Sequence, residues 1–191
     1  AIGTVLVSFS LLAYLFVYNF RDPVARAFVS LLGFATFVYV GDVFLATARL
    51  PANHPAGRFW LHFEWIGIAL VVPATMQLGN ALLLATGDRS SRRHLALAAA
   101  YAVGAAVAAL QIGSDAIVDG VVGTAGSLYL APGPWFPAAA ALFFLGTLEA
   151  TRWLWRARQR SLTARSRHRT TLLLVSVVAP LGVFPYLSAG G

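Results

Sequence analysis

The sequence predicts an all-α fold, a polytopic transmembrane helical bundle with six spans, and three observations predict it. Of its 191 residues, 59% are hydrophobic and only 11% are charged, with a mean hydropathy of +0.74. A water-soluble domain carries about a quarter charged residues, so the expected solvent is a bilayer. The apolar residues also fall into six runs, each near the roughly 20 residues that cross a hydrocarbon core of about 30 Å. Finally, the breaks between runs are marked by Pro, Gly and arginine, as expected of turns between helices.

The first run, 1–20, lacks a basic leading region and a small-residue cleavage site, so it reads as a membrane helix and not a signal peptide. "RDP" ends it and the second run, 24–48, follows. "RLPANHPAG" leads into the third, 59–86, and "GDRSSRRH" into the fourth, 95–112. The longest connection, "GSDAIVDGVVGTAGSLYLAPGP", is Gly-rich and partly apolar, and is expected to dip into the interface or form a short helix. The fifth run is 135–156, and "RARQRSLTARSRHRT" separates it from the sixth, 171–189. Residues 1–191 thus read as a single transmembrane domain.

The net charge of +7 is a matter of placement. All 14 basic residues are Arg, and twelve lie in the first, third and fifth connections: Arg21 and Arg26, then Arg89, Arg92 and Arg93, then seven from Arg152 to Arg169. Arg49 and Arg58 alone fall at the second connection, and the fourth carries Asp115 and Asp119. The positive-inside rule then puts the odd connections in the cytoplasm and the N-terminus outside. Nucleic-acid binding is not needed to explain such clustering. Anionic headgroups of membrane lipids are the expected partners of the Arg152 to Arg169 segment.

Several chemistries are absent from the residues themselves. With no cysteine there is no disulfide, thiolate metal site or covalent haem attachment, and with no lysine there is no retinal Schiff base. Only His62 among the four histidines is embedded in a run, which is too few for membrane haem. No nucleophile motif stands out. No cofactor, metal or catalytic residue is expected.

The third run, "FWLHFEWIGIALVVPATMQLGNALLLATGDRSSRR", carries His62, Glu64, Gln77 and Asn80 inside an apolar stretch. At about 100° per residue, His62, Pro73 and Asn80 fall within roughly 20° of one another and Gln77 within about 60°. Gln77 and Asn80 therefore form an intramembrane polar stripe, expected to face other helices and hydrogen-bond to them. Glu64 lies about 200° from His62, on the opposite side. Asp42, at the outer end of the second span, shares its depth with His62 and Glu64. These three are the candidate ligand or proton-sensing site, bordering one cavity; the alternative is interfacial groups paired with Arg49 or Arg58. Glu149, with Arg152 and Trp153 three and four residues on, reads as an interfacial anchor with a helical ion pair.

Three stretches, "RDPVARAFVSLLGFATFVYVGDVFL", "FWLHFEWIGIALVVPATMQLGNALLLATGDRS" and "YLAPGPWFPAAAALFFLGTLEATRWLWRARQR", resemble the seven-helix N-terminal sensor region of bacterial membrane histidine kinases, a region also found ahead of diguanylate cyclase domains. The matching features are Glu64, Trp65 and Gly67, then Pro73, then the turn at Thr86, Gly87 and Arg89. "PGP" with Trp135 and Phe136 entering the fifth run is another. The likeness covers most of residues 20 to 188. It implies a signal-input domain of a two-component or related system in the bacterial inner membrane, with six of seven helices here. Any catalysis would reside in a cytoplasmic output domain beyond a seventh span. It carries no known ligand. The competing expectation is a non-catalytic integral-membrane subunit whose apolar faces meet partner helices, in a homodimer or a larger complex.

Overall fold

The computed structural model describes residues 2–48, 55–124, 127–161 and 163–189. Arg49 and most of the second connection lie outside the described residues. Six helices stand at the six apolar runs: α1 (Ile2–Asn19), α2 (Pro23–Ala48), α3 (Pro55–Ala85), α4 (Ser91–Gly113), α5 (Phe136–Arg160) and α6 (Ala164–Ala189). Pro23–Leu45, Pro55–Ala85 and Ser91–Gly113 are long and apolar enough to cross a membrane, and α1 contributes the shorter apolar stretch Val5–Asn19.

Helix starts and stops follow local chemistry. Asp22 caps α2 by accepting from the Val24 N–H (3.1 Å), with Pro23 at the first helical position, where no backbone donor is lost. At the end of α3, Gly87 takes φ 82°, open to glycine without strain. The N–H groups of Gly87 and Asp88 turn back to the carbonyls of Leu84 and Leu83, closing a Schellman turn. The last two helices run well past their apolar runs, to Arg160 and from Ala164. Arginine is a good helix former, so the helix continues where the apolar run stops.

The fourth connection differs from expectation. It forms an antiparallel hairpin, β1 (Val118–Thr124) and β2 (Ser127–Pro132), and not a helix or a simple loop. Val118, Val121, Val122 and Tyr129 favour strands over helix. The register slips between Asp119 and Val121, where Gly120 adopts φ 59° and makes the bulge.

Helix α3 is the centre, with α2, α4 and α5 each laid against it. Gly67 lets the Phe34 carbonyl and Val38 of α2 come close, and Gly104 of α4 does the same for the Ala69 carbonyl. Val72 meets Gly146, and Gly79 meets Trp153, so α5 runs parallel to α3. The buried core joins Met76 and Leu83 to Ala150, Trp153 and Ala157, and Leu78 and Ala81 to Ala27 with Leu173. Polarity is inverted relative to a water-soluble bundle. Val7, Phe9, Leu95, Ile112, Leu145 and Leu172 are exposed, while Asn80, Arg93 and Gln111 are buried. An apolar exterior around internally paired polar groups is compatible with a multi-pass membrane protein.

Candidate functional site

The polar stripe of α3 faces α4 and is paired along its length. His62 Nδ1 donates to the Gln111 carbonyl (2.7 Å), the Tyr101 hydroxyl donates to Gln77 Oε1, and Arg93 Nε donates to Asn80 Oδ1 (3.2 Å). Hydrogen bonding between helices is therefore what Gln77 and Asn80 do. Sequence reading supplied the stripe but missed Tyr101, Gln111 and Arg93. The signal was available. His62 and Gln111 lie equally far on either side of the turn at residues 86 and 87, as do Asn80 and Arg93.

At the hairpin end, His62 opens onto a groove of about 480 Å³ lined by Arg58, Phe59, Ile66, Ile112 and Asp115 among others. Nδ1 directs a proton at the carbonyl, so in the neutral ring Nε2 carries the lone pair. Nε2 is buried without a hydrogen-bond partner, 3.9 Å from Asp115 Oδ1. Gln111 Nε2 lies 3.2 Å from the same Nδ1, and Gln111 Oε1 is buried without a hydrogen-bond partner. Arg58 binds Asp115 directly. That hydrogen bond, opposed by partial burial and helped by the charges of Arg58 and His62, holds the Asp115 carboxyl below its ordinary value.

Glu64 points the other way, to α2. Its side chain lies over Gly41, where a Cβ would collide with it, and its carboxyl comes within hydrogen-bonding reach of Asp42. Glu64 Oε1 is buried and has no hydrogen-bond partner. The aromatic pairs Phe37–Phe63 and Phe44–Trp60, with ring centroids 5.1 and 4.1 Å apart, flank this spot. The single cavity expected around Asp42, His62 and Glu64 is thus two separate places. Asp42 and Glu64 meet between α2 and α3, whereas His62 turns to α4, because two residues along a helix is more than half a turn. Arg58, considered as a partner for that group, is taken by Asp115.

The arginine-rich end has a hub that sequence reading passed over as a polar turn. Asp88 Oδ1 forms an ion pair with Arg93 Nη1 (3.1 Å), and Oδ2 forms ion pairs with Arg156 Nε (3.1 Å) and Arg160 Nη1 (3.0 Å), though without a well-aligned hydrogen bond at Oδ2. Arg93 also donates to the Asp88 carbonyl. Partial burial alone would raise the Asp88 carboxyl. The Arg93 hydrogen bond and charge, joined by Arg156 and Arg160, outweigh it and hold the group below its ordinary value. Arg156 and Arg160, four residues apart, lie on one face of α5. The expected anchor at Glu149 is present, bonded by Trp153 Nε1 (2.6 Å) and Arg152 (3.5 Å).

An apolar crevice of about 430 Å³ runs between α4 and α5 over α3, with Trp65, Pro73, Gly104, Phe136 and Gly146 along it. Among the described residues, no three His, Cys, Asp or Glu side chains converge to hold a metal ion. Comparison of the chain with protein-family models, with curated proteins and with solved structures finds no match.

Proposed function

We propose that this chain is a membrane-embedded signal-input domain of a bacterial signal-transduction protein. In this reading it spans the inner membrane six times with its N-terminus outside, and relays a ligand or proton signal to a cytoplasmic output domain. The carrying observation is the two-ended wiring of α3. One end holds His62 with Nε2 unpartnered beside a groove, the other abuts the Asp88 hub, and hydrogen bonds to α4 join them. A stimulus can act only through states it distinguishes. A proton on Nε2, or a small ligand donating to it, would set His62 against Asp115 and Arg58 and bias the α3–α4 register. Helix shifts of about 1–2 Å are a common output of such devices. The likeness to histidine-kinase and diguanylate-cyclase sensor regions, which includes Glu64, Pro73 and the Gly87 turn, supports the same reading.

The test uses the absence of native cysteine. Spin labels at Ser91→Cys and Thr163→Cys, in the full chain in nanodiscs, report the distance between α4 and the α5–α6 turn. The distance distribution should shift on acidification, and His62→Gln should abolish the shift. A distribution that ignores pH, or that shifts equally in His62→Gln, would remove His62 as the input.

The second reading, a non-catalytic subunit of a membrane complex, is favoured by the apolar crevice between α4 and α5, which has room for a partner's side chains above α3. A photo-crosslinker at Ala99 that captures the same protein helix in stoichiometric yield from native membranes would decide for it.

A further inference from the structure

Beside the Asp88 hub, on the other flank of α3, lie two adjoining hollows of about 780 and 440 Å³ that share Pro23, Ala81, Leu84 and His94. They form one cleft between the start of α2, the end of α3 and the start of α4. Its mouth is basic. Arg89 and His94 line the larger hollow and Arg26 and His94 the smaller. The arginines of the hub share the Asp88 carboxylate, but among the described residues Arg26, Arg89 and His94 have no ion pair and no side-chain hydrogen bond. Asp22 is the one acid among the described lining residues, and its carboxylate is engaged in capping α2. The backbone adds donors, since Ser90 at the start of α4 makes no side-chain cap. Behind this mouth the cleft offers an apolar wall of Phe20, Val29, Leu84 and Leu97, with Ser30, Gln77 and Asn80 also on its lining.

We propose that this cleft holds one anionic phospholipid, its phosphate between Arg26, Arg89 and His94 and an acyl chain along Phe20, Leu84 and Leu97. Uncompensated guanidinium groups at a mouth and apolar side chains behind it match the two halves of such a lipid. A basic pocket between membrane helices is a recurrent headgroup site. Arginine suits a phosphate because its fork presents paired donors. This site is distinct from the Arg152 to Arg169 segment, and it does not depend on the signal-input reading.

Native mass spectrometry of the full chain tests it, after exchange into mixed micelles with phosphatidylglycerol, phosphatidylcholine or sodium phosphate. About one phosphatidylglycerol should stay bound per chain, and Arg26→Gln/Arg89→Gln should lower the retained fraction about tenfold or more. Arg21→Gln/Arg92→Gln removes equal charge from the same end outside the lining of either hollow and should retain the lipid. Arg26→Lys/Arg89→Lys, which keeps the charge, should recover part of the binding and show that the cleft still folds. The proposal is overturned if phosphatidylcholine is held equally, or if both Gln pairs lose the lipid alike. It is likewise overturned if inorganic phosphate displaces the lipid and protects the chain equally against heat, which would make the site one for a soluble anion.

Discussion

The two ends of α3 handle charge in opposite ways. At the arginine-rich end, both oxygens of Asp88 are ion-paired with guanidinium groups at 3.0–3.1 Å, so its charge is compensated although Oδ2 makes no aligned hydrogen bond, and those arginines come from the start of α4 and the end of α5. That end is closed, and it ties three elements to one carboxylate. At the hairpin end, His62 Nε2 and Glu64 Oε1 are buried with no hydrogen-bond partner, one toward α4 and the other toward α2. An unpartnered buried polar atom costs free energy that a proton or ligand can recover. The closed end therefore suits an anchor, and the open end suits an input. The same helix carries both, and the paired stripe between them joins the two.

The most decisive way to break this comparison is to ask which end faces which compartment. Single Cys substitutions at Ser127 and Ser161, treated with an impermeant thiol reagent on intact cells, should label at Ser127→Cys and not at Ser161→Cys. The reverse pattern would put the hub outside and the His62 groove inside.

Next in size is the stability contrast. Asp88→Ala strands three arginines and should lower the thermal midpoint by roughly 5 °C or more. Glu64→Gln should leave the midpoint unchanged or raise it, because the amide keeps the shape of the carboxyl, carries no charge and brings two donors of its own. A large loss in Glu64→Gln with little in Asp88→Ala would exchange the roles of the two ends.

A smaller effect sharpens the geometry of the open end. Gly41→Ala puts a Cβ into the Glu64 side chain and should cost about 1–3 kcal/mol, as overpacking does. In Gly41→Ala/Glu64→Ala much of that loss should return, since the two substitutions share one contact. Additive losses would mean that Glu64 does not lie over Gly41.

The smallest expected effect is a flat line. The Asp88 carboxyl titrates below its ordinary value of 3.8, so its contribution is present above that value and is lost only as pH falls through the lower folded value. The Asp115–Arg58 pair behaves the same way. Between about pH 5 and 8, neither pair should give a slope in the thermal midpoint. A slope found there and removed by His62→Gln would belong to the imidazole. One that persists would count against the open end as the responsive one.

How much of this was legible varies by element. All six helices sit on apolar runs that can be read by eye, and the opposite facing of His62 and Glu64 follows from their spacing of two. Helix ends were less legible, because arginine carries α5 and α6 beyond the apolar stretches that mark a membrane core. The hairpin was missed because its strands are short and lie among glycines, where local preference is weak and pairing decides. Tyr101 and the pairing role of Asp115 were missed for another reason. Nothing local distinguishes them, and they matter only because of what α3 presents to them.

By itself, the sequence determined the solvent the exterior suits, the number of helices and which residues share a face. Those properties depend on composition and on the 3.6-residue period, which act within one segment. Only the tertiary structure decided which faces meet. The Gly87 turn sets the α3–α4 register and so gives His62 to Gln111 and Asn80 to Arg93, while α5 brings Arg156 and Arg160 to Asp88 across more than sixty residues of chain. Hydrogen bonds and ion pairs act over a few ångströms, so a residue's partner is fixed by packing, and the segment that carries the residue does not contain that information.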